Sequence, residues 1–299
     1  MSEIRLFSIT DGKAKETNAS SYKLEREIQT LFEANLEELL GVKFVASEYK
    51  TNQGGRIDTL GIDENGFPVV IEYKLDKNKT VINQGMSYMA WLRSHKAEFW
   101  KAVFTKFGQA EADRIDHSST RLICIATDFT RDDLGAYELM PSSIDLIRYR
   151  RYGDNGLLLE KIGASADPSG PLVTSGPKSA SGSDKPVTQI LAEATPHIRS
   201  LVDKIRQTLL AQGEDVSEKT TQLYLAYKRT RNFASVVVQK GDVLLQLHLN
   251  PEDVDLKDNM KDVRKIGIWG TGSLQIRINN EAQIAEAQDL IRQAYEAQS

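Results

Sequence analysis

The sequence predicts an α/β fold. A mixed sheet flanked by helices is expected over residues 1–162, a flexible Gly/Ser/Pro linker over 163–187, and a smaller α+β unit over 188–299. Three observations carry this. The first stretch runs helix, strand meander, helix, then strands, an order that lays helices against one sheet. Composition breaks once, at Gly163–Val187 (GASADPSGPLVTSGPKSASGSDKPV), where small and polar residues dominate and no apolar period survives. Periodicity then returns, and 299 residues is the length of two domains.

The elements follow in order. Ile4–Ile9 reads as a short strand. Ser20 or Ser21 precedes a helix over Lys23–Leu40, with Leu24, Ile28, Leu31, Phe32, Leu39 and Leu40 as its apolar stripe and Gly41 as its stop. Strands are expected at Lys43–Tyr49, Arg56–Ile62 and Pro68–Lys74. Helices are expected at Asn83–Ser94 and Lys96–Phe107. Arg121–Thr127 is an apolar run with the character of a buried strand, and Ile144–Tyr152 and Leu157–Ile162 add two more. In the second unit a long helix is expected at Thr188–Leu210. Strands follow at Phe233–Gln239, Val243–Leu249 and Leu274–Ile278, then a helix at Glu281–Gln298. The charged run Asp258–Lys265 reads as a helix face.

Composition narrows the function. Hydrophobic residues make up 40% of the chain, with no run near the roughly 18 apolar residues of a membrane span. Met1-Ser2-Glu3-Ile4-Arg5 has no signal-peptide pattern, and the single Cys124 allows no intrachain disulfide, so a cytoplasmic protein is expected. A net charge of −4 argues against coating nucleic acid by bulk electrostatics, though not against a local basic groove. The four histidines lack zinc-ligand spacing.

The chemistry-bearing pattern is Arg56-Ile57-Asp58 followed by Val70-Ile71-Glu72-Tyr73-Lys74. Glu72 and Lys74 share one strand face. Asp63-Glu64-Asn65-Gly66 marks a hairpin turn. A two-residue Asn65-Gly66 loop would pair Thr59 with Glu72 and send Asp58 to the other face. A three-residue Glu64-Asn65-Gly66 loop pairs Asp58 with Glu72, with Gly66 left-handed, and it or an equivalent bulge at Gly61 is expected. Two converging carboxylates repel unless a cation compensates. Oxygen-only ligation favours Mg²⁺, with Mn²⁺ as a substitute, and the Tyr73 carbonyl is a further candidate ligand. Lys74 would orient a water or neutralise phosphate charge. Gln84 and Tyr88 lie one helical turn apart and can hold a phosphate or orient Lys74. Glu25 falls inside the first helix's apolar stripe and Glu27 at its edge. A carboxylate there needs a partner, and Glu25 is a candidate direct or indirect metal contact. Each residue also has a plainer reading: a solvated strand end for Asp58 and Glu72, a surface glutamine, a core tyrosine, a salt-bridge partner for Glu25. Their conjunction favours the site.

With Glu25, Gly55-Arg56-Ile57-Asp58, Val70-Ile71-Glu72-Tyr73-Lys74 and Gln84-x-x-x-Tyr88 in hand, residues 20–130 resemble the PD-(D/E)XK nuclease superfamily, in the branch that holds NucS endonucleases and RecB-type nuclease domains. Ile57 stands where the superfamily's name has Pro, as is common in that branch. The resemblance implies a restriction-endonuclease-like sheet and Mg²⁺-dependent DNA cleavage by Asp58, Glu72 and Lys74. It also implies Arg56 on a phosphate or an acidic residue, and a homodimer, since cutting both strands needs two sites. The context would be repair, restriction or phage defence. The C-terminal part resembles a small α+β domain of unknown function found after nuclease domains and sometimes labelled a predicted transport protein. There Tyr224, Tyr227, Lys228, Arg229, Arg231 and Phe233 interleave aromatic and basic residues, as a nucleic-acid track does and as an ordinary solvated strand also does. Trp269 is either a ligand-facing side chain or a packed turn residue. Two other functions stay open: a non-cleaving nucleic-acid-binding protein, and a regulatory protein acting on a partner through the C-terminal unit.

Overall fold

The computed structural model describes residues 4–52, 54–75, 81–137, 143–162, 185–265 and 270–298. Trp269 and nearly all of the expected linker lie outside the described residues. The chain opens with an exposed hairpin, β1 (Leu6–Thr10) and β2 (Lys13–Thr17). There follow β3 (Ala19–Ser20), α1 (Glu25–Leu40), β4 (Val42–Lys50), β5 (Arg56–Asp63), β6 (Pro68–Lys74), α2 (Val81–Ser94), α3 (Lys96–Phe107), α4 (Gln109–Ala112), β7 (Arg121–Ala126), α5 (Arg131–Tyr137), β8 (Ile144–Tyr152) and β9 (Gly156–Ile162). Seven of these strands form one sheet in the order β3-β8-β7-β6-β5-β4, with β9 against β8. The pairs β6–β7 and β7–β8 are parallel and the others antiparallel, so the sheet is mixed as expected.

Helices cover both faces. On one, Ile28, Phe32, Leu36 and Leu40 of α1 meet Val69, Ile71, Tyr73, Ile123 and Ile125. On the other, Met89, Leu92, Phe99 and Val103 of α2 and α3 meet Val70, Leu122 and Cys124. Burial on both sides explains why β6 and β7 read as near-continuous apolar runs. Truncating the fully buried Phe32 to Ala would cost about 3–5 kcal/mol. Helix α1 starts after the expected serines: Glu27 Oε2 accepts from the Lys23 and Leu24 amides, both at 3.0 Å, and caps the first turn. Leu24, expected in the stripe, is exposed. Gly41, at φ +63°, ends the helix.

The β5–β6 hairpin has the three-residue loop. Its register pairs Thr59 with Ile71 and Ile62 with Pro68, which brings Asp58 level with Glu72. Asp63 Oδ1 accepts from the Asn65 and Phe67 amides at 2.9 and 3.0 Å, an Asx turn. Gly66 sits at φ +83°, and a Cβ there would stand 2.3 Å from the Arg114 carbonyl oxygen, so the position demands glycine twice over. The bulge lies at Phe44–Ala46 of β4, opposite Gly61, rather than on β5 itself.

The C-terminal region is built on a separate six-stranded antiparallel sheet. Its elements are α6 (Val187–Glu193), α7 (Pro196–Leu210), β10 (Ser217–Thr220), β11 (Leu225–Lys228), β12 (Asn232–Val238), β13 (Val243–Leu247), β14 (Met260–Asp262), β15 (Leu274–Ile278) and α8 (Glu281–Glu296). The single helix expected over 188–210 is two. Thr195 is held extended before Pro196, and its hydroxyl caps α7 through the Ile198 amide at 3.3 Å. The charged run is no helix: Met260–Asp262 pairs with Leu274–Ile276 as an edge strand. The two regions touch through the β5–β6 turn. Asn232 Nδ2 donates to Asn65 Oδ1 at 2.7 Å, the Tyr224 hydroxyl donates to the same oxygen at 3.0 Å, and the Asn232 amide donates to Glu64 at 2.7 Å. Beside them Arg121 bridges Asp63 at 3.0 Å and Asp145 at 2.8 Å, and Asp145 also faces Lys161 at 3.1 Å and Lys228 at 3.8 Å.

Candidate active site

The site lies at the end of the hairpin away from its turn. Neither ladder includes Asp58. On one side pairing begins at Thr59–Ile71, and on the other Ser47–Thr59 and Tyr49–Ile57 bracket it. Opposite the gap Glu48 has φ +53°, a conformation costly for a residue with a side chain. The freed backbone groups of Asp58 are taken by side chains. Its amide donates to Glu72 Oε1 at 3.2 Å, and its carbonyl accepts from Gln29 Nε2 at 2.9 Å. Its carboxylate in turn accepts from the Tyr73 amide at 3.2 Å. The Asp58 and Glu72 carboxyl groups thus converge where β5 and β6 part.

Helix α2 completes this corner. A Cβ on Gly85 would lie 2.3 Å from Leu122 Cδ1, so this glycine lets α2 press against β7. Its neighbour Gln84 then reaches Glu72 Oε2, with Nε2 donating at 2.8 Å, and lies 3.5 Å from the Tyr88 hydroxyl. That hydroxyl accepts from the Arg56 amide at 3.0 Å. Gln84 therefore orients Glu72, where Lys74 or a phosphate was expected. Glu25 Oε2 stands 3.7 Å from Lys74 Nζ, and its Oε1 accepts from the Leu75 amide at 3.3 Å. Glu25 holds the lysine, and Glu27 is spent on the helix cap. The exposed Arg56 pairs with Glu48.

Electrostatics set this corner apart. Glu72 is fully buried, and its carboxyl is pushed up to about 9, first by burial and then by the Asp58 charge. Burial also lifts Asp58, against the Tyr73 amide and Lys74, which pull it down. Among the described residues Lys74 is the cation that pulls both carboxyls down, and it does not offset their burial. The side-chain donors that converge are the Asp58 and Glu72 carboxylates, all oxygen. Among the described residues no three acidic, histidine or cysteine side chains are grouped to hold a metal by themselves. A cation here would keep several waters, as Mg²⁺ does. The residues fit that ion.

Three polar residues of this corner escape a reading by motif. Gln29, Glu33 and Glu48 surround the gap at Asp58, with Glu33 Oε1 accepting from the Thr59 hydroxyl at 2.6 Å. The signal was present: Glu25, Gln29 and Glu33 repeat every four residues, a polar line beside the apolar stripe of α1.

The expected nucleic-acid track in the second region is corrected. Lys228 is buried against Asp145, Arg229 lies over the Tyr295 ring and pairs with Asp215, and Arg231 pairs with Glu38. Tyr224, Tyr227 and Phe233 are buried too. β11 is an inner strand between β10 and β12, with Tyr227 in the core of the second region and Lys228 turned to Asp145 of the first.

Residues 187–298 match the family model described as a domain of unknown function, DUF5655. An uncharacterized protein of Haemophilus influenzae is 28% identical over 300 residues, covering 97% of this chain and 99% of that protein. Two solved structures are similar over part of the fold. A repair endonuclease from Pyrococcus abyssi matches at 20% identity and a TM-score of 0.27, over 43% of this chain and 48% of that one. An EndoMS–double-stranded DNA complex matches at 23% identity and a TM-score of 0.23, over 39% and 43%. The chain spans less than half the length of either solved protein. Among the described residues no helix is long and apolar enough to cross a membrane.

Proposed function

We propose that this chain is a Mg²⁺-dependent DNA endonuclease, with Mn²⁺ able to substitute. Asp58, Glu72 and the Tyr73 carbonyl would hold the ion. The observation that carries this reading is the convergence of the half-buried Asp58 with the buried Glu72, whose carboxyl is pushed up to about 9 by burial and then by the Asp58 charge, a charge that a divalent cation would compensate. The bound ion would polarise the scissile phosphate and acidify a coordinated water. Lys74, steadied by Glu25, neutralises charge on the phosphate and orients the attacking water. Gln84 fixes the Glu72 carboxyl, Tyr88 fixes the backbone at Arg56, and Arg56 turns from Glu48 to a phosphate. Residues 1–162 form the nuclease unit. Residues 188–299 select the substrate or a protein partner, and a homodimer supplies the second active site for a double-strand cut. The enzyme works in the cytoplasm, in repair, restriction or phage defence.

The test is cleavage of single-stranded, duplex, mismatched and branched DNA and of RNA, with Mg²⁺, Mn²⁺ or EDTA. Metal-dependent cutting of DNA that is lost in Asp58→Ala and Lys74→Ala supports the proposal. DNA binding without cutting on any substrate would replace it with a recognition module.

A further inference from the structure

We propose that Gln29 is a positioning residue that holds the β4–β5 ladder open so that the Asp58 carboxylate faces Glu72. The inference rests on reading Asp58 as a metal ligand and goes one residue deeper. Gln29 is 8% exposed and projects from α1 into the gap between β4 and β5. Its single amide nitrogen stands 2.9 Å from the Asp58 carbonyl, 3.0 Å from Glu33 Oε1, 3.2 Å from Ser47 Oγ and 3.4 Å from Glu48 Oε1. An amide nitrogen has two hydrogens, so the two nearest oxygens are its principal acceptors. Asp58 is the residue that both ladders skip, and its carbonyl would otherwise lack a strand partner. A buried carbonyl without a donor costs about 1–3 kcal/mol. Gln29 supplies that donor from outside the sheet.

The same helix steadies the rest of the corner. Glu25, one turn earlier, holds Lys74, and Glu33, one turn later, accepts from the Thr59 hydroxyl. Helix α1 thus sets the spacing between the ligand strand and the lysine through three side chains on one line. Without the Gln29 donor, the backbone at Asp58 gains by pairing again with β4. Glu48 then leaves its left-handed conformation and the Asp58 carboxylate turns from Glu72.

Gln29→Met keeps the volume and removes the donor, and Gln29→Leu does so with a stiffer side chain. Mn²⁺ binding to the full chain without DNA is read by calorimetry, beside the melting temperature and the cleavage panel. The expected result for either folded variant is Mn²⁺ affinity weakened by about tenfold, with the metal concentration for half-maximal cutting raised by the same factor. Glue between α1 and the sheet alone would lower the melting temperature and leave metal affinity unchanged. Unchanged Mn²⁺ affinity in a folded variant overturns the inference while wild-type cutting keeps the nuclease reading intact. Wild-type protein that neither binds Mn²⁺ nor cuts would overturn the nuclease reading, and this inference with it.

Discussion

Beside the two ends of the β5–β6 hairpin, acids are shifted in opposite directions, Asp145 down near the turn and Asp58 and Glu72 up at the open end. At the turn, Asp63 and Asp145 share Arg121, and Lys161 and Lys228 add charge from either side. Burial there works against ionisation, yet Lys228, Lys161 and Arg121 hold Asp145 well below the usual carboxylate range. At the open end, about 17 Å away along five residues of β5, Asp58 and Glu72 face each other with Lys74 as the cation that acts on both among the described residues, and burial lifts both carboxyls. One hairpin therefore separates a saturated charge network that joins two regions from an unsaturated one that favours a cation. A buried acid by itself signals neither role; the sign of its displacement and the count of cations around it do.

The sharpest way to break this contrast is to remove the open-end groups. Asp58→Ala or Lys74→Ala is expected to lower metal-dependent cleavage by about a thousandfold or more, measured in single-turnover assays, while the circular dichroism spectrum is retained. A variant that still cuts would move the chemistry elsewhere. At the turn end the effect should fall on stability. Arg121→Ala takes the shared guanidinium from Asp63 and Asp145, and a loss of up to about 3–5 kcal/mol is expected in urea unfolding. A neutral outcome would mean that the network is not closed. Glu72→Gln sharpens the difference by sign. Its folded value, about 9, lies above the ordinary 4.5. The unfolded chain therefore releases this proton first, and wild-type stability falls as pH rises between those values. Glu72→Gln should melt higher than wild type without metal, with the gain growing as pH rises through that window. Mg²⁺ should stabilise wild type and leave the variant unmoved. The smallest change is Asn232→Ala, which leaves Asn65 without its 2.7 Å donor and should cost about 1–2 kcal/mol, read as earlier proteolysis between the regions.

The sequence made the hairpin legible in detail. Asp63-Glu64-Asn65-Gly66 marked the turn, and the choice of a three-residue over a two-residue loop decided that the two acids lie level, because register flips faces in single steps. The buried strands β6 and β7 were legible for the same reason that they are buried. The opening of the ladder was not. Glu48 takes a left-handed conformation that its side chain disfavours, and no glycine marks the place. The break between α6 and α7 was legible in Pro196, which the apolar period on both sides masked. The contact between the regions was hidden because Arg121, Asp145 and Lys228 find partners only across the chain. In isolation each reads as a solvated strand residue. Ser217–Thr220 has no apolar alternation at all and pairs only because β11 offers an edge.

The open-end pair, whose carboxyls burial lifts, is proposed to take up a cation in exchange for a proton. The most direct test is calorimetric titration with Mn²⁺ near pH 8, repeated in buffers of different ionisation enthalpy. Binding with net proton release is expected, because Glu72 must lose its proton to the buffer to hold the ion as a carboxylate, and both binding and release are expected to be lost in Asp58→Ala. Binding that releases no proton, or that survives in Asp58→Ala, would contradict it.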